Sequence, residues 1–219
     1  MNDNKKGSFW PSYVDLMTNL FAVTLVLFVV TFKLFKIRED ELVAKAEELE
    51  RLKSINESIE NIDKDYFDYN VEFKKHILNI DVKYPTGKFF IDDIMDASAK
   101  NKLIKAGRKI VETIQRLNED PQKAANVKYL VVIEGQASAD NYYINDYFNN
   151  DVLSYLRAQK LKEFWLKDNH LRFDQLGNCE LIVSGSGEGG VPRVDSEETR
   201  NQRFLVHIVP VIGKKEKSR

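Results

Sequence analysis

Residues 16–35, LMTNLFAVTLVLFVVTFKLF, constrain this chain more than any other stretch. Charged residues make up 31% of the 219-residue sequence, yet none falls between 16 and 32, and Lys33 is the only one before Lys36. At about 1.5 Å rise per residue a helix of this length runs about 30 Å, the thickness of a bilayer's hydrocarbon core. Lys33 lies near the far end, where its stem can carry the ammonium to the interface. A cleaved leader would have a shorter apolar core and a small-residue cleavage site after it. Here KLFKIREDELVAK follows, so the run reads as a retained membrane helix over 13–36, behind a polar tail at 1–12.

Asp15 stands at the mouth of that run. An ionised carboxylate inside hydrocarbon is costly, and such residues mark ion or proton routes by default. The alternative places Asp15 in the headgroup layer, where with Pro11 and Ser12 it would help start the helix. Thr18, one turn further on, either lends an oxygen to a bound ion or bonds the helix carbonyl behind it. Asn19 and Thr24 are the next polar residues in the run.

Residues 37–65 form a helical neck on the sequence pattern. Leu42, Ala46, Leu49, Leu52, Ile55, Ile59 and Ile62 recur at steps of three and four, close to the coiled-coil period. This narrow stripe suits a helix paired with a copy of itself, or one lying on the domain that follows. From Tyr66 to 211 the pattern becomes compact. HILNIDVKY, VKYLVVIEGQA, CELIVSGSG and RFLVHIVPVI read as strands, and SAKNKLIKAGRKIVETIQRLNED and DVLSYLRAQKLKEFWLKDN as helices. The expected class is α+β, a mixed β-sheet with helices on one face, ending in a basic tail at 212–219. The net charge of −1 provides no basic field for nucleic acid. Cys179, the single cysteine, lies within a strand pattern and reads as a buried inert thiol. Zinc-ligand spacing, a P-loop, a dinucleotide fingerprint and a nucleophile elbow are all missing, so no cofactor and no enzymatic activity are expected.

The stretch FWPSYVDLMTNLFAVTLVLFVV resembles the membrane segment of MotB-type stator subunits and of the related ZorB subunit of Zorya defence systems, within the MotB/TolR/ExbD superfamily. Trp10, Ser12, Tyr13, Asp15, Leu16, Met17 and Thr18 carry the likeness. In those motors two B-type subunits stand inside a ring of five multi-span A-type subunits of the MotA or ZorA kind. The resemblance implies a homodimer in which Asp15 alternately binds and releases a proton or sodium ion. It also implies an N-terminus in the cytoplasm and an outer domain beyond the inner membrane. The charges near the span do not by themselves favour that topology, since Lys5 and Lys6 precede it while Lys33, Lys36 and Arg38 follow.

The second half is similar to OmpA-like peptidoglycan-binding domains through VVIEGQAS, NNDVLSYLRA, SGSGEGGVP and RNQRFLVHI, in that order. Arg157 matches the arginine that holds the carboxylate of diaminopimelate. Ser138 stands where the family has an aspartate for the ligand's ammonium, and Asp140 is the nearest substitute. Asn150 and Leu153 match the helix start, and Arg203 matches the arginine of the last strand. Asn150 also suits a helix N-cap, and Arg203 a structural ion pair. SGSGEGG reads as a backbone turn. Tyr142, Tyr143 and Tyr147 lie in the long segment before the helix, either as a stacking surface for glycan or peptide or as a loop. The expected role is an ion-driven motor subunit anchored to the cell wall, in defence or in motility. The rival is a passive envelope tether.

Overall fold

The structure, a computed structural model, describes residues 10–124, 126–140, 142–145 and 147–213. The polar start before Trp10, the basic end after Gly213, and the side chains of Trp10 and Ser12 lie outside the described residues. The chain divides into two compact units, with the boundary between Glu50 and Arg51.

The first unit is helical. Its described residues, from Trp10 to Glu50, lie in α1 (Trp10–Glu60), whose last turns belong to the second unit. Every backbone group of a helix interior is satisfied within the segment, which is what hydrocarbon demands. This helix is long and apolar enough to cross a membrane. Over residues 13–35 its large apolar residues are bare, from Tyr13 at 45% exposure to Phe21 at 67%.

The apolar stripe of the neck splits in two. Leu42 and Leu49 remain exposed, whereas Ile55, Ile59 and Ile62 are buried in the core of the second unit. That unit therefore begins at Arg51 rather than at Tyr66, because the last turns of α1 supply core side chains.

The second unit is built on a five-stranded sheet. Its strands are β1 (Phe67–Asn70), β2 (Lys75–Leu78), β3 (Val127–Gln136), β6 (Cys179–Gly185) and β7 (Arg203–Ile212), in the spatial order β1-β2-β7-β3-β6. The β3–β6 pair is parallel and the other neighbours are antiparallel, so the sheet is mixed as expected. HILNIDVKY provides only three of the four residues of β2, whose first is Lys75. After Leu78 the chain leaves the sheet, and the Tyr84 N–H donates to Gln202 Oε1 at 2.7 Å. β1 had no signal in the sequence, being four residues of mixed polarity.

Two principal helices, α2 (Ala99–Glu119) and α4 (Asn150–Glu163), cover one face, with a short α3 (Pro121–Ala124) between them. On that face Val127, Tyr129, Val131 and Ile133 of β3 are buried against Leu103, Ala106, Ile110 and Ile114 of α2 and Ala158 and Leu161 of α4. A period of two on the strand meets a period near 3.6 on the helices. Gly135 and Gly185, near the ends of β3 and β6, admit α4 at close range. A Cβ at Gly135 would collide with the Ser154 carbonyl, and one at Gly185 would stand 2.5 Å from the Tyr155 nitrogen. After α4 the helix widens into a π turn at Phe164–Asp168, which seats Trp165 in the core with its indole N–H on the Leu103 carbonyl at 2.9 Å. The end of α1 is held on the same face. His76 of β2 is buried and its Nε2–H donates to the Ile59 carbonyl at 2.9 Å.

A small hairpin of β4 (Tyr143–Asn145) and β5 (Phe148–Asn149) precedes α4, where the sequence suggested a loop. Cys179 is half-buried against the core, and burial pushes its thiol up to about 11, so it stays protonated and unreactive near neutral pH.

Candidate functional site

The two candidate sites lie in different units. In the first, Asp15 is not a cap. The described helix already begins at Trp10, so Asp15 is inside it. Asn19, one turn on, points its amide Nδ2 at Asp15 Oδ1, 3.5 Å away. Thr18 Oγ1 donates to the Val14 carbonyl at 2.8 Å, and Thr24 does the same to Phe21 at 2.8 Å. Both hydroxyl protons are engaged on their own helix while the oxygen lone pairs stay open, and Asn19 is the side chain that bonds Asp15. The i, i+4 spacing of Asp15 and Asn19 was readable in the sequence, but the polar pair was not singled out.

In the second unit, the loops at the ends of β3 and β6 and the start of α4 converge. Asn149, not Asn150, caps α4, its side-chain oxygen accepting from the N–H groups of Asp151 and Val152. This frees Asn150, which is buried, to donate to Asp140 Oδ1 at 3.1 Å and to Glu188 Oε2 at 3.4 Å. Asp140 Oδ2 accepts from the Ser138 hydroxyl at 3.2 Å, and that hydroxyl accepts from Gln202 Nε2 at 3.1 Å. Ser138 is buried while Asp140 is exposed, so it is the carboxylate two residues on that faces solvent.

Arg157 sits two turns further along α4, on the same face as Asn150. It is 3% exposed, its Nε–H donates to the Lys88 carbonyl at 3.1 Å, and its guanidinium carbon lies 4.4 Å from the centroid of the Tyr84 ring. Burial pulls its pKa down to about 10, against the upward pull of Tyr84 and Asp140. It remains a cation at neutral pH, with Asp140 in its field. Arg157 is thus a buried cation, while the carboxylates of Asp140 and Glu188, both bonded by Asn150, are exposed.

The remaining sequence candidates lie elsewhere. Leu153 is buried at 2% exposure and serves packing. Arg203 donates from Nε to Gln136 Oε1 at 2.8 Å and from Nη2 to the Pro192 carbonyl at 2.5 Å, so it pins the 186–200 loop through neutral acceptors rather than an ion pair. That loop is further held by Arg193, which bonds the Glu188 carbonyl and forms an ion pair with Glu198 at 2.7 Å. Its SGSGEGG start is a backbone turn: the Gly187 carbonyl accepts from the Ala137 N–H at 2.9 Å, and the Gly187 N–H donates to Ser154 Oγ at 2.9 Å. Tyr142 packs edge-on to Phe148, while Tyr143 and Tyr147 stand exposed. Tyr84, Lys88, Glu188 and Gln202 were not found from sequence. They come from three separate segments, and only the tertiary fold gathers them.

No family model matches this chain, and no curated protein matches it. Among solved structures, it is similar to the periplasmic domain of Helicobacter pylori MotB at 16% identity and a TM-score of 0.40, over 65% of this chain and 75% of that one. A putative MotB-like protein from Desulfovibrio vulgaris matches at 10% identity and a TM-score of 0.41, over 80% and 96%. The OmpA-like domain of FopA1 from Francisella tularensis matches at 20% identity and a TM-score of 0.36, over 67% and 79%.

Proposed function

We propose that this chain is the B-type subunit of an ion-driven inner-membrane motor. Two copies stand within a ring of five A-type subunits, and Asp15 carries protons or sodium ions. The observation that carries this reading is Asp15 itself, placed inside an apolar helix with the neutral Asn19 amide as its hydrogen-bond partner among the described residues. In apolar surroundings the charged form of a carboxylate is penalised, so taking up a cation and moving into hydrocarbon are coupled. Ring rotation follows from that coupling. The outer unit anchors the motor, with Arg157 receiving the carboxylate of a cell-wall peptide and Asp140, in place of the family aspartate at Ser138, receiving its ammonium. Of the two settings for such a motor, an anti-phage defence system of the Zorya kind is preferred to flagellar or gliding motility. The preference rests on how soon the second unit begins after the apolar run.

Asp15→Asn in the complete A–B assembly provides the test. A motor predicts that the assembly forms but liposomes containing it pass no ion current, and that protection from phage or motility is lost. Unchanged function with the amide in place would leave a passive tether, an anchor and a wall-binding unit without transport.

A further inference from the structure

Arg157 is the residue proposed to meet a wall carboxylate, yet it is sealed from solvent. The segment that bonds its guanidinium is Pro85–Phe90, PTGKFF. The Lys88 carbonyl takes the Arg157 Nε–H, and the turn closes on itself through the Lys88 N–H to the Pro85 carbonyl at 3.0 Å. Gly87 has a φ of 74°, and a Cβ there would stand 2.6 Å from the Tyr142 hydroxyl, so Tyr142 lies directly on the turn. Phe89 stacks on Phe90 at 4.6 Å and meets Phe148 edge-on at 6.5 Å, and Lys160 lies 5.2 Å over the Phe90 ring. Both ends are fixed, by Tyr84 N–H on Gln202 and by Phe90 N–H on Asp93 Oδ2 at 3.1 Å. Among the described residues, its backbone bonds lie within the turn and at the Phe90 carbonyl, which accepts from the Asp93 N–H of the next short 3-10 turn at 2.9 Å; none reaches the sheet, α2 or α4. Ring contacts and one bond to Arg157 hold it down, and these can part without disturbing the core.

Beneath the segment two polar atoms have no partner among the described residues: Arg157 Nη1 and the Tyr84 hydroxyl. Both residues are more than nine-tenths buried. Unpaired buried donors are costly, and a ligand carboxylate, with two oxygens, is the kind of group that would satisfy them. A carboxylate also outbids the Lys88 carbonyl, because it carries charge and can engage two guanidinium N–H groups at once.

We propose that Pro85–Phe90 is a strap that shuts a carboxylate receptor made of the Arg157 guanidinium and the Tyr84 hydroxyl, and that wall peptide binds only when the strap lifts. The identity of the ligand rests on the wall-anchor reading; the strap does not.

The test uses the intact chain in detergent. Phenylglyoxal labelling of Arg157, read by mass spectrometry, reports the strap, and binding of a soluble diaminopimelate muropeptide reports the receptor. Phe89→Ala with Phe90→Ala, or Tyr142→Ala alone, should raise Arg157 labelling about ten-fold and tighten muropeptide binding, since each removes aromatic contacts of the latch. Tyr84→Phe keeps the ring under Arg157 and should weaken binding about ten-fold while leaving Arg157 as protected as before. Wild-type labelling in both latch variants, with cooperative unfolding retained, would overturn the strap. Wild-type affinity in Tyr84→Phe would overturn the receptor. Labelling that rises while no variant binds muropeptide would overturn the wall-peptide ligand and support the strap.

Discussion

At the residue scale, Glu134 is a buried carboxylate held charged by its neighbours. It lies on the sheet face away from the helices, 5% exposed, with Lys75 Nζ at 2.9 Å and His207 Nε2 at 2.6 Å. Burial pushes its carboxyl up, but hydrogen bonds from His207, Lys75 and Ser186 outweigh that and hold it at about 2, below its ordinary 4.5. A depressed carboxylate stabilises the fold above the unfolded value and loses that contribution as pH falls through the folded one. Urea unfolding of the second unit should therefore weaken by on the order of 3 kcal/mol between pH 4.5 and 2. Glu134→Gln should lack that slope, at the expense of stability at neutral pH. His76 acts in a separate window. Burial lowers its pKa below 6.5, so its neutral form stabilises the fold at high pH and that contribution is lost as pH falls below 6.5. Arg157 belongs to the same scale. Arg157→Ala should reduce co-sedimentation of the intact chain with purified peptidoglycan at least about ten-fold, the size of a lost charge-assisted bond. Binding equal to wild type would leave the second unit as a scaffold.

At the scale of elements, α1 is one helix with two kinds of surroundings. Ile59 is 4% exposed and packs in the core of the second unit, while Leu49 is 69% exposed. Ile59→Ala should destabilise that unit by about 2–5 kcal/mol in chemical unfolding, as deletion from a packed core does. Leu49→Ala should change it by less than about 0.5 kcal/mol, because it removes no intrachain contact of the core. A loss of self-association in Leu49→Ala, measured by sedimentation in detergent, would assign the exposed half of the stripe to a second copy. The sequence pattern placed all seven apolar positions on one face but left open whether a copy or the next domain covers them. For Ile55, Ile59 and Ile62 the next domain does.

For the whole molecule the division at Glu50 and Arg51 is the organising fact. A fragment of residues 51–219 should fold in water without detergent and unfold at the same temperature as the second unit in the intact chain. A fragment starting at Tyr66 should melt lower or not fold, having lost Ile55, Ile59 and Ile62 from its core. The Asp15→Asn assembly experiment tests the helix of the first unit without altering the second.

The sequence by itself determined the apolar helix, because a run that long without charge has few other ways to satisfy its backbone and side chains. It also determined α2, α4, β3, β6 and β7, whose periodicities are long enough to separate 3.6 from two. It identified Arg157 and Asp140 as candidates, one by motif and one by proximity to Ser138. Tertiary structure decided the rest. β1 and the β4–β5 hairpin are too short to carry a period of their own. Asn149 against Asn150 as the cap was settled by one turn of backbone geometry. The Tyr84 ring under Arg157 and the Lys88 carbonyl on its Nε come from residues about seventy positions away in the chain. Local pattern records which face of an element is apolar. Which distant polar group reaches a buried charge depends on how the elements pack, and only the folded chain contains that information.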